Sequence, residues 1–236
     1  RPQVSGILGA AAPGSQPPIV NAGGVENKGF EFQIAYSDYF SDDFRFKISY
    51  NMTYLQNEVT FVSGENSFVT GGSFGVGQDP PSRMEVGQPM GYFYGLKTDG
   101  IFQNQEEVDS HATQTNAAPG DLRYVDVNGD GQINEDDRTY IGDPIAPWNM
   151  GLNLSMDWKR WDFGLYLFSS LGIEIVRNYE RNQPLTNRSS YFLNRWTGEG
   201  STDSFPRVTT GANSYGLFSD FFVEDASYLR IQNIQL

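Results

Sequence analysis

Between Tyr124 and Pro144 the chain reads YVDVNGDGQINEDDRTYIGDP, and this short run holds Asp126, Asp130, Glu135, Asp136, Asp137 and Asp143. Carboxylates at such intervals suit the wrapping of a hard cation in oxygen. Set against the twelve-residue calcium-loop pattern, Asp126, Asn128 and Asp130 fall at positions 1, 3 and 5, and Gly131 falls at 6, where the chain turns sharply. Gln132 at 7 offers its backbone carbonyl, Ile133 at 8 is apolar, Asn134 stands at 9 and Asp137 at 12. Without a cation, carboxylates roughly 5 Å apart repel by about 3 kcal/mol per pair at an effective dielectric of 20. Calcium would remove that repulsion and order the loop. The expected metal set is Asp126, Asn128, Asp130, Gln132 and Asp137.

The loop departs from a calcium sensor in two ways. Position 12 is Asp, shorter than the usual bidentate Glu. No helix is expected on either side, because GDLRYV reads as extended and RTYIGDPIAP is broken by Gly142, Pro144 and Pro147. A structural clip is therefore expected, with a solvated acidic turn holding no metal as the alternative.

Other chemistry is thin. The absence of cysteine excludes disulfides, zinc–thiolate clusters and thiol catalysis. The single histidine, His111, lies in a polar stretch and is expected on a surface loop. Glu106-Glu107 and Glu224-Asp225 could be read as glycosidase acid pairs. Adjacent strand residues point to opposite faces, however, so no enzyme activity is expected. Twenty-nine acidic against sixteen basic side chains give a formal charge of −13, which repels phosphate backbones and excludes a nucleic-acid partner.

The elements that must position the loop read as strands. Phe30, Phe32, Ile34 and Tyr36 alternate with Glu31, Gln33, Ala35 and Ser37. After Ser41-Asp42-Asp43, the residues Phe44, Phe46, Ile48, Tyr50, Met52 and Tyr54 take one face of a second strand. In a further hairpin Trp148, Met150, Leu152, Leu154, Met156 and Trp158 alternate with Asn149, Gly151, Asn153, Ser155 and Asp157. Lys159-Arg160 makes its turn, and Trp161, Phe163, Leu165 and Leu167 start the return. A last strand is expected over FFVEDASYLRIQNIQL, Phe221 to Leu236, giving about five strands.

These strands exceed the usual length of about 5–6 residues. Trp148 and Trp158 share a face ten residues apart. At roughly 3.3 Å per residue and a tilt near 40° they span about 25 Å, the height of the apolar band between the aromatic girdles of an outer-membrane barrel. Two connections are short, and two are long, from about Glu58 to Pro147 and from about Ile173 to Asp220. Assigning the strands alternate directions puts both short turns on one side and both long excursions on the other, as in such barrels. The expected fold is all-β, an antiparallel transmembrane β-barrel portion with long extracellular loops. A soluble long-stranded sandwich with its aromatics in the core is the alternative. No apolar run reaches 18 residues, so no transmembrane helix is expected. The opening RPQVSGILGAAAPGSQPP has no apolar core behind a basic end and does not read as a signal peptide.

Four stretches together resemble the C-terminal barrel portion of the SusC/RagA family, the TonB-dependent outer-membrane transporters of Bacteroidetes. They are NAGGVENKGFEFQI (Asn21 to Ile34), VGQPMGYFYGLKTDGIFQN (Val86 to Asn104), GDLRYVDVNGDGQINEDDRTYIGDPIAPWNMGLNLSMDWKRWDF (Gly120 to Phe163) and FFVEDASYLRIQNIQL. The resemblance implies that residues 1–236 belong to a barrel of about 22 strands with a plugged lumen. Residues 58–147 would form a long extracellular region carrying the calcium-type loop 126–137. It also implies an outer-membrane location, a SusD-like lipoprotein partner, energy from the TonB complex, and oligosaccharide (glycan) or peptide as imported nutrient cargo. The family's plug domain, TonB-contacting segment and about two final strands are not in this chain, which is therefore expected to be a fragment. Loop aromatics, Phe68, Phe74, Tyr92, Phe93, Tyr94, Phe102, Tyr191 and Trp196, could stack on sugar rings or simply pack the loops. The alternative function is a secreted, calcium-stabilised carbohydrate-binding or adhesive β module. A dockerin-like module would need two calcium repeats, and the sequence has one.

Overall fold

Strict alternation along a strand gives it two faces with different surroundings, and that rule organises the computed structural model of the chain. The structure describes residues 3–4, 20–21, 23–63, 68–75, 79–178, 187, 189–209 and 216–236. A short pair, β1 (Gln3–Val4) and β2 (Val20–Asn21), precedes a long antiparallel ribbon. The ribbon consists of β3 (Gly23–Ser41) and β4 (Phe44–Val62), 19 residues each, joined at Asp42-Asp43. A first excursion follows with β5 (Phe68–Thr70), β6 (Ser82–Glu85), β7 (Tyr92–Gly95), β8 (Thr98–Ile101), the short helix α1 (Gln105–Ser110), β9 (Leu122–Tyr124) and β10 (Thr139–Gly142). The second hairpin is β11 (Trp148–Trp158) and β12 (Trp161–Leu171), with Lys159 at φ +56° in its turn. A second excursion carries β13 (Glu174–Val176) and β14 (Val223–Asp225) before β15 (Tyr228–Gln235).

The five long strands form one sheet in the order β15-β12-β11-β4-β3, with every neighbour antiparallel. Both tight turns lie at one end of this wall and both excursions leave from the other, as the strand directions require. Register aligns Trp148 with Tyr54 and Leu171, and Trp158 with Phe44 and Trp161. Directly opposed residues share a face, so the apolar rows of neighbouring strands merge into one surface.

The excursions are not open loops. They fold over the wall's end into a cap with two cores. One gathers Phe74, Phe93 and Ile141 from the first excursion with Phe218 and Phe222 from the second. The other gathers Leu96, Ile101, Leu122 and Tyr124, with Trp196 and Phe221 packed against them. Leu96 and Ser219 form a parallel bridge between the two excursions, Leu96 donating to the Phe218 carbonyl and Asp220 to that of Leu96. Burying one such aromatic or leucine fully is worth roughly 1.5–3 kcal/mol, so the cap holds itself together.

Three expectations change. The ribbon runs well past the apolar alternation, to Gly23 and Val62, because its outer end becomes a stalk for the cap. There Val59, fully buried, donates to the Gln88 carbonyl and accepts from Gly87, both at 2.9 Å. The region 58–147 thus begins as strand and continues as folded cap. The single final strand over Phe221–Leu236 is instead a 3-10 turn (Asp220–Phe222), β14 bound to β13, and then β15. The Asp225 carboxylate accepts the Ser227 amide at 2.8 Å, and the Ser227 hydroxyl accepts from Gly172, which turns the chain from cap into wall.

Candidate functional surfaces: a two-faced wall and an acidic loop

One face of the wall is apolar and uncovered. Across it run rows such as Ile34–Tyr50–Leu152–Leu167–Ile231 and Tyr36–Ile48–Leu154–Leu165–Ile234. None of the six side chains that β11 places on this face is buried, although they are tryptophan, methionine and leucine. On the edge strand β15, Leu229 is 71% exposed and Ile234 is 66% exposed. Aromatics bound the face at both ends. Near the cap, Tyr54 lies between Phe30 and Trp148, with ring centroids 5.6 and 4.6 Å away. Near the turns stand Phe40, Phe44, Phe46, Trp158 and Trp161, the last 60% exposed. A soluble sandwich would bury these residues under a second sheet. No described part of the chain does so.

The opposite face is polar. Arg45 and Asp157 pair across β4 and β11 with nitrogen–oxygen distances of 2.6 and 2.7 Å. The Ser170 hydroxyl donates to Asn149 at 3.0 Å. Gly151 sits under the Asn51 side chain, and a Cβ there would fall 2.5 Å from the Asn51 amide oxygen. Further along, Lys47, Ser49, Asn153, Ser155, Tyr166 and Asn233 surround a hollow of about 440 Å³. This face is polar and the other apolar.

The acidic loop lies in the cap between β9 and β10. Asp126 accepts the amides of Gly129 at 2.7 Å and Gly131 at 2.8 Å. Asn128 accepts from the Asp130 amide and Asp130 from the Gln132 amide, each at 2.8 Å. Asp137 is completely buried and accepts from Val127 at 2.9 Å, Asn134 at 2.8 Å and Asn128 at 3.4 Å. The last position of the run thus closes back on its first turn. Gly129 and Gly131 sit at φ +75° and +81°, a region that side chains resist. Thr113 straps the loop from outside, donating to the Gly131 carbonyl and accepting from Ile133.

The loop closes into a ring, with Asp137 at its last position bonded to the Val127 amide. Its carboxylates, however, are aimed at the loop's own amide dipoles. Among the described residues no three carboxylate or imidazole groups are gathered to hold a metal ion.

The other sequence candidates find structural places. His111 is half-buried, with Nε2 2.8 Å from the Tyr124 carbonyl and its ring edge-on to Phe102, rather than loose on a surface loop. Glu107 caps the Gln103 amide and faces Arg123, and Glu224 binds Arg177. Phe74, Tyr92, Phe93 and Phe102 are buried packing, and the Trp196 indole donates to Gln103. Phe68, Tyr94 and Tyr191 remain partly open.

Sequence reading missed the ties between excursions. Asp121, with no exposure, receives a two-pronged bond from Arg207 at 2.8 and 3.1 Å, and Thr98 donates to Asp220 at 2.6 Å. No local pattern signals pairs that lie 86 and 122 residues apart. Burial pushes the Tyr124 hydroxyl well above its usual range and that of Tyr140 up to about 12, so both stay neutral.

No protein-family model matches the chain. Among curated proteins it is 28% identical over 224 residues to "TonB-dependent receptor P26" of Formosa agariphila, covering 92% of this chain and 22% of that protein. It is 29% identical over 220 residues to "TonB-dependent receptor SusC" of Bacteroides thetaiotaomicron, covering 92% of this chain and 20% of that one. The chain thus spans about a fifth of the length of these relatives. Among solved structures, the RagAB peptide importer in its open-open state matches with a TM-score of 0.68 at 19% identity, over 98% of this chain and 24% of that one. The five-stranded wall, with short turns at one end and a folded cap at the other, is accordingly a barrel-wall architecture, and the chain is a relative, along the segment it spans, of the TonB-dependent receptors, SusC among them.

Proposed function

We propose that the chain forms part of the wall and outer cap of an outer-membrane nutrient importer of SusC/RagA type. The apolar face between its two aromatic rows carries this reading. It is wide, continuous and uncovered, and its strands are long enough to cross the apolar layer of an outer membrane. The polar face then lines the lumen. The edges of the sheet, β3 and β15, continue into further strands of a larger barrel, since an open edge in a bilayer leaves backbone groups unsatisfied. Energy from the TonB complex, a SusD-like lipoprotein over the cap, and oligosaccharide or peptide as cargo belong to the same proposal. Support comes from the likeness to SusC and to the RagAB transporter.

The chain has no cysteine, so a cysteine introduced into it is the one thiol of this segment, and any thiol elsewhere in the protein is replaced by serine before labelling. In the whole protein in liposomes, a label at Leu154→Cys is expected to collide with lipid-soluble oxygen. A label at the adjacent Asn153→Cys is expected to collide with a water-soluble nickel chelate instead. Equal exposure of both positions to the nickel reagent would overturn the reading.

Calcium as a structural clip in the acidic loop is part of this proposal. The chemistry of the donor set supports it: Asp126, Asn128, Asp130 and Asp137 would supply side-chain oxygens and Gln132 its carbonyl. The cation would neutralise charge that amides alone now meet. Titrating calcium into chelator-treated protein should raise the unfolding midpoint of the wild type and not that of Asp126→Asn. An unchanged wild-type midpoint would remove the metal from the account.

A further inference from the structure

The small cap sheet β10-β7-β6-β5 has two faces of its own. Phe93 and Ile141 point into the core. The other face carries Phe68, Arg83, Tyr92, Tyr94 and Tyr140, placed together by the pairings Arg83↔Tyr92 and Tyr140↔Tyr94. The Arg83 guanidinium is sandwiched, 4.2 Å from the Phe68 ring centroid and 3.5 Å from that of Tyr94. The sandwich holds the planar fork in place while leaving its N–H edges free. Arg45, Arg123, Arg138, Arg177 and Arg207 each bind a carboxylate. The Arg83 guanidinium has no ion pair or hydrogen bond with any described residue, its backbone alone being held in the sheet. The nearest acid on its strand and face, Glu85, is taken by the Tyr92 hydroxyl at 2.5 Å. Beside the fork, Tyr140 lies stacked on Tyr92 at 12° between planes and is 40% exposed, which leaves its outer surface open.

We propose that this face binds an acidic oligosaccharide, with Arg83 forking onto a uronate carboxylate while the sugar ring lies on the adjacent tyrosines. Charge complementarity selects the occupant. On a chain of formal charge −13, a pre-oriented cation with no ion pair to any described residue marks the place where an anion is wanted. The neighbouring ring faces and phenol hydroxyls suit a polyhydroxylated ring better than an acidic peptide, whose carboxylates hang on flexible stems. This assignment rests on the importer reading and names a class of cargo for it.

The test uses the whole protein in detergent and calorimetric titration with tetragalacturonate, maltotetraose and tetraglutamate. Tetragalacturonate should bind, the other two should not, and Arg83→Lys should weaken binding by about tenfold or more, because lysine keeps the charge and loses the fork. Tyr140→Ala, at an exposed position, should weaken it by a smaller factor with the fold intact. Absence of tetragalacturonate binding, equal affinity in Arg83→Lys, or equal binding of either other oligomer would overturn the proposal. The spin-label result at Leu154 is independent of these outcomes, so the platform can fail while the importer reading stands.

Discussion

Leu154 and Leu165 face one another across β11 and β12 and both stay partly open, whereas Leu96 and Leu122 in the cap retain 2% of their exposure each. The same residue type is thus placed in two different ways within one chain. In the cap, apolar side chains turn inward onto each other and polar ties close around them, as in any water-soluble domain. In the wall they turn outward and the hydrogen-bonding side chains turn the other way. A wall of this kind is completed by its surroundings, and a cap by itself. The aromatic rows differ in the same sense. Phe218, Phe222 and Phe74 pack against one another within a core, while Trp158 and Trp161 edge a surface.

That contrast predicts unequal responses to substitution. Phe102→Ala, at a fully buried cap position, should cost about 3–5 kcal/mol. Hydrogen exchange at the Phe102 and Tyr124 amides should report it, with wall amides unchanged. If wall and cap lost protection together, they would be one cooperative unit. Leu154→Arg should cost about 2–4 kcal/mol in a bilayer, as for a charge at the midplane of a barrel's lipid face. The neighbouring Asn153→Arg should cost little. Unfolding in lipid vesicles measures both, and a tolerant Leu154 would place that face in water.

Asp121→Ala comes next, at about 2 kcal/mol. It strands Arg207 without its partner, but that side chain is 27% exposed and water can take over part of the loss. The signature would be loosened contact between the two excursions, read as faster exchange at Arg207 and Gly120. The smallest effect concerns pH. Burial lifts the Asp143 carboxyl above its ordinary 3.8, the Ile145 amide opposes this and the nearby Glu174 adds to it. A raised folded value means that the stabilising proton is held at acid pH and lost as pH rises from about 3.8 through the folded value. Asp143→Asn should therefore leave cap stability unchanged near pH 3 and raise it slightly at pH 7. A loss at neutral pH would show that the charge is needed.

Much of the wall is legible in the amino-acid sequence. Alternation at Phe30–Tyr36, Phe44–Tyr54 and Trp148–Leu167 marks strands because a pleated chain shows its two faces at every second residue. Ser41-Asp42-Asp43 and Lys159-Arg160 mark the tight turns because little else separates the alternating runs, and the structure narrows the first to Asp42-Asp43. The break at Ala226-Ser227 was not legible. It depends on an Asx-type bond from Asp225 and on an amide from Gly172, a residue 55 positions from the serine it meets. The acidic loop was legible as a ring, since its spacing is local. The direction in which its carboxylates point was not.

By itself, the sequence determined what is set over short distances: five two-faced strands, the side of the wall on which each connection lies, and a closed acidic loop. Only the tertiary structure decided what is set over long ones. It packed the two excursions into one cap through Phe218, Phe222, Arg207 and Asp220, and it left Arg83 clasped between two rings with no ion pair among the described residues. The reason is physical. Backbone geometry imposes a period on neighbouring side chains, whereas the pairing of groups far apart in the chain is fixed by shape, burial and charge only once the whole fold has closed.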